Sequence, residues 1–534
     1  MNGSTTLITK ERIMNNREIT GQSDFNRSLN RSLVVSFALL AVATSAYGAA
    51  DRPNILFIMS DDHTTQAIGA YGNRLAKLNP TPNIDALAKD GMRFDRVFCN
   101  NSICTPSRAS IITGQYPQTN GVLDLTGNIP PDRQYLPTEM GKAGYHTAMI
   151  GKWHLRQEPA AFNYYCVLPG QGRYFDPQFR VRGNQPWPRN TISKEGKHSS
   201  DAITDISLDW LKNGWDRKRP FFLMHHFKAP HDLFRNAPRY ESYLEDVTIP
   251  EPDNLHEQPA DGFGSVASRG YGSGLAKGHE SWRLGRRLGI DQSLKDPEYT
   301  SANYQKYLKR YLRCVKGVDD NVKRLIGFLR ETGELDNTVI IYTGDQGFFL
   351  GEHDLMDKRW MYEEAMRMPF IVHHPKVVKN GSTNDWLINN TDFAPTILAL
   401  AGIEAPAYMQ GRSFASALRG EARPADWRTT TYYRYWMHMA HNLRVPAHFG
   451  IRTERYKLIF FYGSTPTGDS KTPAAWELYD LKNDPWEMQN QYDHSKYAEV
   501  VAELKAELRR QRASLNETDA AYPELQKIID ANWN

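Results

Sequence analysis

Four apolar runs, each ending abruptly in a cluster of polar residues, constrain this chain more than any other feature. Asn54-Ile-Leu-Phe-Ile-Met-Ser60 runs into Asp61-Asp62-His63. Tyr145 to Ile150 runs into Gly151-Lys152-Trp153-His154, and Pro220 to His226 leads to Lys228-Ala229-Pro230-His231. Val339 to Thr343 runs into Gly344-Asp345-Gln346-Gly347. Continuous apolar runs of this length read as strands buried on both faces, the signature of a parallel sheet covered by helices. The segments between them carry helical patterns, at 83–90, 201–212, 304–330 (with a break expected near Gly317) and 391–401. Strand and helix alternation predicts an α/β domain with a large, mostly parallel sheet. In such sheets ligands bind beyond the carboxyl ends of the strands, which is where the polar clusters fall.

Beyond Gly402 the texture changes. Short strands at 429–435, 448–453, 457–462 and 476–480, followed by a charged helix at 498–514, predict a smaller α+β part with an antiparallel sheet. The expected division is 51–402 for the catalytic domain and 403–534 for the C-terminal subdomain. Residues 251–296, rich in glycine, histidine and charge, read as a long surface loop of the kind that often serves function.

Residues 1–50 read as a signal-peptide region. The apolar run Leu33–Ala43 follows Arg27 and Arg31 and precedes the small residues Ala46-Tyr47-Gly48-Ala49. The expected location is therefore secreted or periplasmic, with Met14 an alternative start. The run is short for a membrane span, and no later segment suggests a stable one. These 50 residues hold five basic and three acidic side chains, so the net charge of +4 falls to near +2 without them. That balance gives no reason to expect a nucleic-acid partner. The four cysteines, Cys99, Cys104, Cys166 and Cys314, form no C-x-x-C pair, which argues against a zinc site; whether the others pair is open.

The polar clusters together suggest a chemistry. Asp61, Asp62 and Asp345 with the amide oxygen of Gln346 make an oxygen-rich set suited to a hard cation. Arg108, Lys152 and Lys358 suit a tetrahedral anion, and His154 and His231 suit proton transfer. Each has a plainer reading: an Asp-Asp pair caps a turn, a lone cysteine fills a core, an Asp before Gln-Gly makes a β-turn. Their succession at the ends of successive strands points to metal-assisted hydrolysis of a sulfate or phosphate ester.

At this point the chain resembles a family. Cys104-Thr105-Pro106-Ser107-Arg108 matches C-x-P-S-R, the signature of the type I, formylglycine-dependent sulfatases, and ASIITGQYPQTNGV continues it. GKWH, KAPH, TGDQG, DFAPT near Asp392 and ELYDLKNDPWEMQN at the C-terminal end match further segments. The resemblance implies an alkaline-phosphatase-like sandwich and oxidation of Cys104 to formylglycine by a maturase. It implies Ca²⁺ held by Asp61, Asp62, Asp345, Gln346 and the converted Cys104. The family often has Asn where Gln346 stands.

The resemblance further implies that a hydroxyl of the hydrated formylglycine attacks sulfur, with Arg108 steadying it and Asp345 as base. His231 then protonates the leaving oxygen, His154 returns the aldehyde, and Lys152 and Lys358 hold sulfate oxygens. His353, His438, His448 and Arg444, the last three in a cluster with His441, are expected near the substrate. Val167–Phe179 resembles glycosaminoglycan sulfatases of the N-acetylglucosamine-6-sulfatase-like group. Lys228–Pro252 resembles bacterial sulfatases that degrade algal and host polysaccharides. The expected partner is therefore a sulfated saccharide. The alternatives are a phosphomonoester or phosphonate hydrolase of the same superfamily, and an inactive glycan-binding relative.

Overall fold

The four apolar runs lie side by side. In the computed structural model, which describes residues 52–533 apart from 184, 261, 280 and 281, they form strands β1 (Asn54–Asp61), β2 (His146–Lys152), β3 (Phe221–Pro230) and β4 (Thr338–Gly344). β1 pairs in parallel with β3 on one side and β4 on the other, and β3 pairs in parallel with β2. The register sets Ile55 beside Phe222 and Val339. All four strands therefore end along one edge of the sheet.

Six shorter strands extend this core to a mixed sheet of ten. Beyond β4 come β5 (Phe370–His373), which runs antiparallel to it, then Met92–Phe94 and Ser382–Asn384. Beyond β2 come Tyr164–Leu168, parallel, then two antiparallel strands at Gln178–Val181 and Thr191–Ser193.

Side chains of a strand alternate between faces, so a run that is apolar throughout must be covered twice. Ile55, Phe57 and Met59 point into one core, shared with Ile111, Ile112 and Phe393. Leu56 and Ile58 point into the other, with Tyr307, Tyr311 and Leu312. The first layer contains helix α1 (Cys104–Thr113), between β1 and β2. Between β3 and β4 lie α2 (Trp282–Leu288) and α3 (Glu298–Glu331), the second layer, and α4 (Phe393–Leu400) follows on the first side.

Two expectations change. α3 continues through Gly317 without a break, because the Tyr240 ring packs where a side chain would stand, 3.2 Å from an ideal Cβ. Here glycine serves close approach rather than interruption. The segment 251–296 is not all loop. It contains α2, whose Leu284 and Leu288 are buried, a helix too short to show its period in the sequence.

The C-terminal strands β6 (Thr430–Tyr435), β7 (His448–Thr453), β8 (Tyr456–Phe461) and β9 (Ala475–Asp480) form an antiparallel sheet in that order, packed against α5 (Ala498–Ser514). It is tied to the large sheet's edge. The Arg434 N–H donates to the Asn100 carbonyl at 2.9 Å, and the Tyr433 hydroxyl to the Arg359 carbonyl at 2.8 Å. The expected signal peptide lies outside the described residues. No helix among the described residues is long and apolar enough to cross a membrane.

Candidate active site

Cys104 is the first residue of α1, preceded by Ile103 in extended conformation. Pro106 fits the first turn, where a missing N–H costs nothing. The whole helix is buried, unusual for a segment with four hydroxyl residues, a cysteine and an arginine. Ser107 and Arg108 find their partners at the strand ends, while Ser110 bonds the Asn100 side chain and Thr113 the Ala109 carbonyl of its own helix. The Ser107 hydroxyl donates to the Asp345 carbonyl and receives a bond from the Asn390 amide at 2.9 Å. Arg108 forks to Asp345 through Nε at 3.0 Å and Nη2 at 2.8 Å, and Nη1 donates to the Lys152 carbonyl at 2.6 Å. The helix is thus pinned to β2 and β4 by its own motif.

Asp61, Asp62 and Asp345 each place a carboxylate oxygen within 4.8 Å of the others. All three are fully buried. Asp62 has a φ of 68°, a left-handed turn that breaks the strand's alternation and brings two consecutive carboxylates to one side. Lys152 pairs with Asp61, Lys358 with Asp62, and Arg108 with Asp61 and Asp345.

Burial opposes ionisation of Asp61, yet Lys152, His231 and Arg108 outweigh it and hold the carboxyl well below the usual range. Asp62 is pushed up to about 7 by burial, despite Lys358 and with Asp61 and Asp345 adding to the rise. Burial and Asp61 likewise push Asp345 up to about 6. Three carboxylates this close compete to remain neutral, which a multivalent cation would reverse. Asp62 Oδ2 and Gln346 Oε1 are buried without a hydrogen-bond donor, as oxygen ligands awaiting a hard cation would be. The donor set therefore fits Ca²⁺.

Lys152 Nζ lies 3.9 Å from Cys104 Sγ and 2.6 Å from Gln171 Oε1. Burial and the charge of Asp61 push the Cys104 thiol up to about 12, so it stays protonated and weakly nucleophilic near neutral pH. His231 Nδ1 donates to the Asp232 carbonyl at 2.6 Å, and Nε2 faces Asp62 Oδ2 at 3.8 Å. His154, with a φ of 56°, receives the Thr105 hydroxyl on its carbonyl at 3.1 Å. Burial, then Lys152, keeps both histidines far below their ordinary range.

Cys104, His231 and Lys358 open into a cavity of about 460 Å³. Its walls include Gln171, Arg287 and Arg359, and His441 from the C-terminal part. The seven residues expected to carry catalysis, Cys104, Arg108, Lys152, His154, His231, Asp345 and Lys358, all lie in or beside this cluster. The suggested substrate contacts do not line the cavity, and three of them belong to packing. His448 is fully buried among Trp360, Tyr433 and Phe461. His353 stacks on Phe263 with centroids 4.0 Å apart, and His438 accepts from the Ala447 N–H at 3.2 Å. Arg444 lies over the Tyr271 ring at 5.6 Å. Of that cluster, His441 alone reaches the wall, since β7 turns His448 inward.

Sequence reasoning passed over Gln171, Lys228 and Asn390. Gln171 lies inside the glycosaminoglycan-sulfatase-like segment, the one available signal. Lys228 is drawn down to about 8 by burial and by Lys152, and its ammonium lies 4.7 Å from the Tyr174 ring.

Comparison with known proteins accords with this geometry. Residues 53–403 match the family model for sulfatase, and 351–514 match that for the C-terminal region of N-sulphoglucosamine sulphohydrolase. An N-acetylglucosamine-6-O-sulfatase of Bacteroides thetaiotaomicron is 38% identical, with 91% of this chain and 92% of that protein covered. A solved structure described as a complex with its substrate D-glucosamine-2-N,6-O-disulfate is 38% identical, with a TM-score of 0.77, covering 88% of this chain and 99% of the other. A phosphonate monoester hydrolase of Silicibacter pomeroyi, 23% identical, has a TM-score of 0.66 over 88% and 96% of the two chains and shares the fold. With most of its length matched, its strand-end carboxylates gathered and its C-x-P-S-R helix seated against them, this chain belongs to the sulfatase family and is a sulfuric ester hydrolase.

Proposed function

We propose that the protein removes the 6-O-sulfate of a glucosamine unit in a glycosaminoglycan or its fragments, using formylglycine made from Cys104 by a maturase. The observation that carries this reading is the placement of Cys104. It heads a buried helix, 3.9 Å from Lys152 Nζ, beside three carboxylates and at the floor of a sugar-sized cavity. As a thiol it is a poor nucleophile; as a precursor it stands where a nucleophile is needed. The sugar is supported by the printed names of the two 38% identical relatives.

Formylglycine at position 104 would supply a hydrated aldehyde, whose hydroxyl is a nucleophile suited to sulfur. Asp61, Asp62, Asp345 and Gln346 would hold Ca²⁺, which supplies positive charge toward the sulfate oxygens. The chain's own residues do the rest. Lys152 and Lys358 accompany that charge and steady the oxygens as electron density shifts toward them. Arg108 holds Asp345 in place for proton removal. His231, its Nδ1–H committed to the Asp232 carbonyl, presents a bare Nε2 that must first take up a proton, which the negative charge of a bound sulfate ester favours, before it delivers that proton to the leaving sugar oxygen. His154, kept neutral by burial and by Lys152, accepts the proton that restores the aldehyde. Residues 51–402 carry this machinery, and 403–534 close the cavity through His441. The signal-like residues 33–49 support a site of action outside the cytoplasm.

The test is release of sulfate from N-acetylglucosamine 6-sulfate and glucosamine 2-N,6-O-disulfate by protein co-expressed with a formylglycine-generating enzyme. The matched 6-phosphate and a phosphonate monoester run in parallel. Faster turnover of either phosphorus ester would overturn the sulfatase reading in favour of the phosphonate hydrolase alternative.

A further inference from the structure

We infer that Tyr174 is a positioning residue for His231, holding the imidazole where it can pass a proton to the leaving sugar oxygen. This rests on the proposed function and deepens it. His231 follows the last residue of β3 and stands in a turn, outside any strand or helix. Its N–H donates to the Lys228 carbonyl at 3.2 Å, and its carbonyl accepts the Phe234 N–H at 3.2 Å. Those bonds are local to the turn. A third comes from 57 residues away: the Tyr174 hydroxyl donates to the same His231 carbonyl.

Tyr174 is itself firmly placed. The strand Tyr164–Leu168 runs parallel to β2, so the chain that leads to Tyr174 leaves the sheet at its active edge. The Tyr174 carbonyl accepts the Ser199 N–H at 2.7 Å, the ring stacks on His198 with centroids 5.5 Å apart, and Lys228 Nζ lies 4.7 Å from its centroid. The residue is 5% exposed and does not line the cavity. Burial holds the phenol well above its ordinary range, so the hydroxyl remains a donor. The imidazole takes its direction from the Asp232 carbonyl, 2.6 Å from Nδ1. The peptide unit joining His231 to Asp232 is the one whose oxygen Tyr174 holds. Freed of that bond, the unit can rotate and carry the Nδ1 acceptor with it. Proton transfer needs Nε2 within about 2.6–3.2 Å of the leaving oxygen, so a small rotation is enough to slow it.

The experiment measures kcat and KM of matured, calcium-loaded protein on N-acetylglucosamine 6-sulfate. It compares wild type, Tyr174→Phe, His231→Ala and the double variant. Phenylalanine keeps the ring and its packing and removes only the bond. Tyr174→Phe should lose about tenfold in kcat with KM within about twofold of wild type, as for an interaction needed in the transition state and not in binding. In the His231→Ala background the same substitution should cost nothing further, because the group it acts through is gone. A purely structural role would lower both backgrounds alike. A second readout needs no turnover. The His231 Nδ1–H proton, assigned by NMR through its loss in His231→Ala, should shift or broaden in Tyr174→Phe.

Wild-type kcat in Tyr174→Phe, an equal further loss in the double variant, or an unmoved Nδ1–H resonance would overturn the positioning role and leave the sulfatase reading standing. A His231→Ala variant as fast as wild type would overturn the acid assignment and the positioning role with it. A wild type that releases no sulfate from this ester overturns the 6-sulfatase reading itself.

Discussion

Arg108 and Asp345 form the joint on which the site depends. Two nitrogens of one guanidinium meet one carboxylate oxygen, at 3.0 and 2.8 Å, with both side chains buried. The arginine belongs to a helix and the aspartate to a strand end 237 residues away. Their pairing fixes the distance between the Cys104 turn and the carboxylate cluster.

Arg108→Ala should therefore damage the fold as well as the chemistry. It strands Asp345 without its cation and leaves Asp61 to Lys152 alone, a loss of about 3–5 kcal/mol for a broken buried pair. Chemical denaturation should show a reduced midpoint, and added calcium should recover part of it. A variant with wild-type stability and lost activity would assign Arg108 to chemistry alone.

Cys104→Ala should behave in the opposite way. The side chain is small and its thiol makes no strong bond to the protein, so the melting temperature should move little. Sulfatase activity should fall to background, because the nucleophile's precursor is gone. In active wild-type protein, the peptide holding Cys104 should be about 18 Da lighter than encoded, the change for oxidation of a thiol side chain to an aldehyde. Full activity with an unmodified thiol would refute the mechanism.

Calcium should matter most above neutrality. Without metal, Asp62 titrates near 7 and Asp345 near 6, both above the ordinary carboxylate range. A carboxylate raised in the folded state contributes stability below its unfolded value, and that contribution is lost as pH rises through the folded one. Metal-free protein should thus lose stability between about pH 4 and 7, while calcium, which binds the ionised forms, restores it. The rise in melting temperature on adding calcium should be larger at pH 8 than at pH 6. Equal rises at the two values would place the cation elsewhere.

His448 should be replaceable by an aromatic. Burial pulls it down to about 3, so it is neutral, and its neighbours are rings. His448→Phe should keep kcat and KM close to wild type. His448→Ala should destabilise by about 3 kcal/mol through the cavity it leaves. A rise in KM for His448→Phe without loss of stability would return the residue to the substrate site.

The Cys104–Arg108 motif and the strand-end clusters were legible because they are local: an apolar run, its stop, and the residues just after it. The four strands appear within one to four residues of their expected limits for the same reason. The role of His448 was not legible. His438, His441 and Arg444 before it in the sequence suggested a binding cluster, but side-chain direction on β7 depends on its pairing with β6 and β8. Gln171 and α2 were missed because neither has a local pattern; each acquires its place from packing.

The free cysteines make the same point. Cys99, Cys166 and Cys314 are all buried and unpaired in the structure, at three separate places in the fold, and no count of thiols could have decided that. Hydrophobic period and turn chemistry are short-range, so the sequence alone determined a parallel α/β sheet with its chemistry at one edge. Which carboxylates would meet, which histidines would face a cavity and which would fill a core are long-range facts. They follow from strand register and helix docking, where one residue of shift reverses the face a side chain points to, and only the tertiary structure decided them.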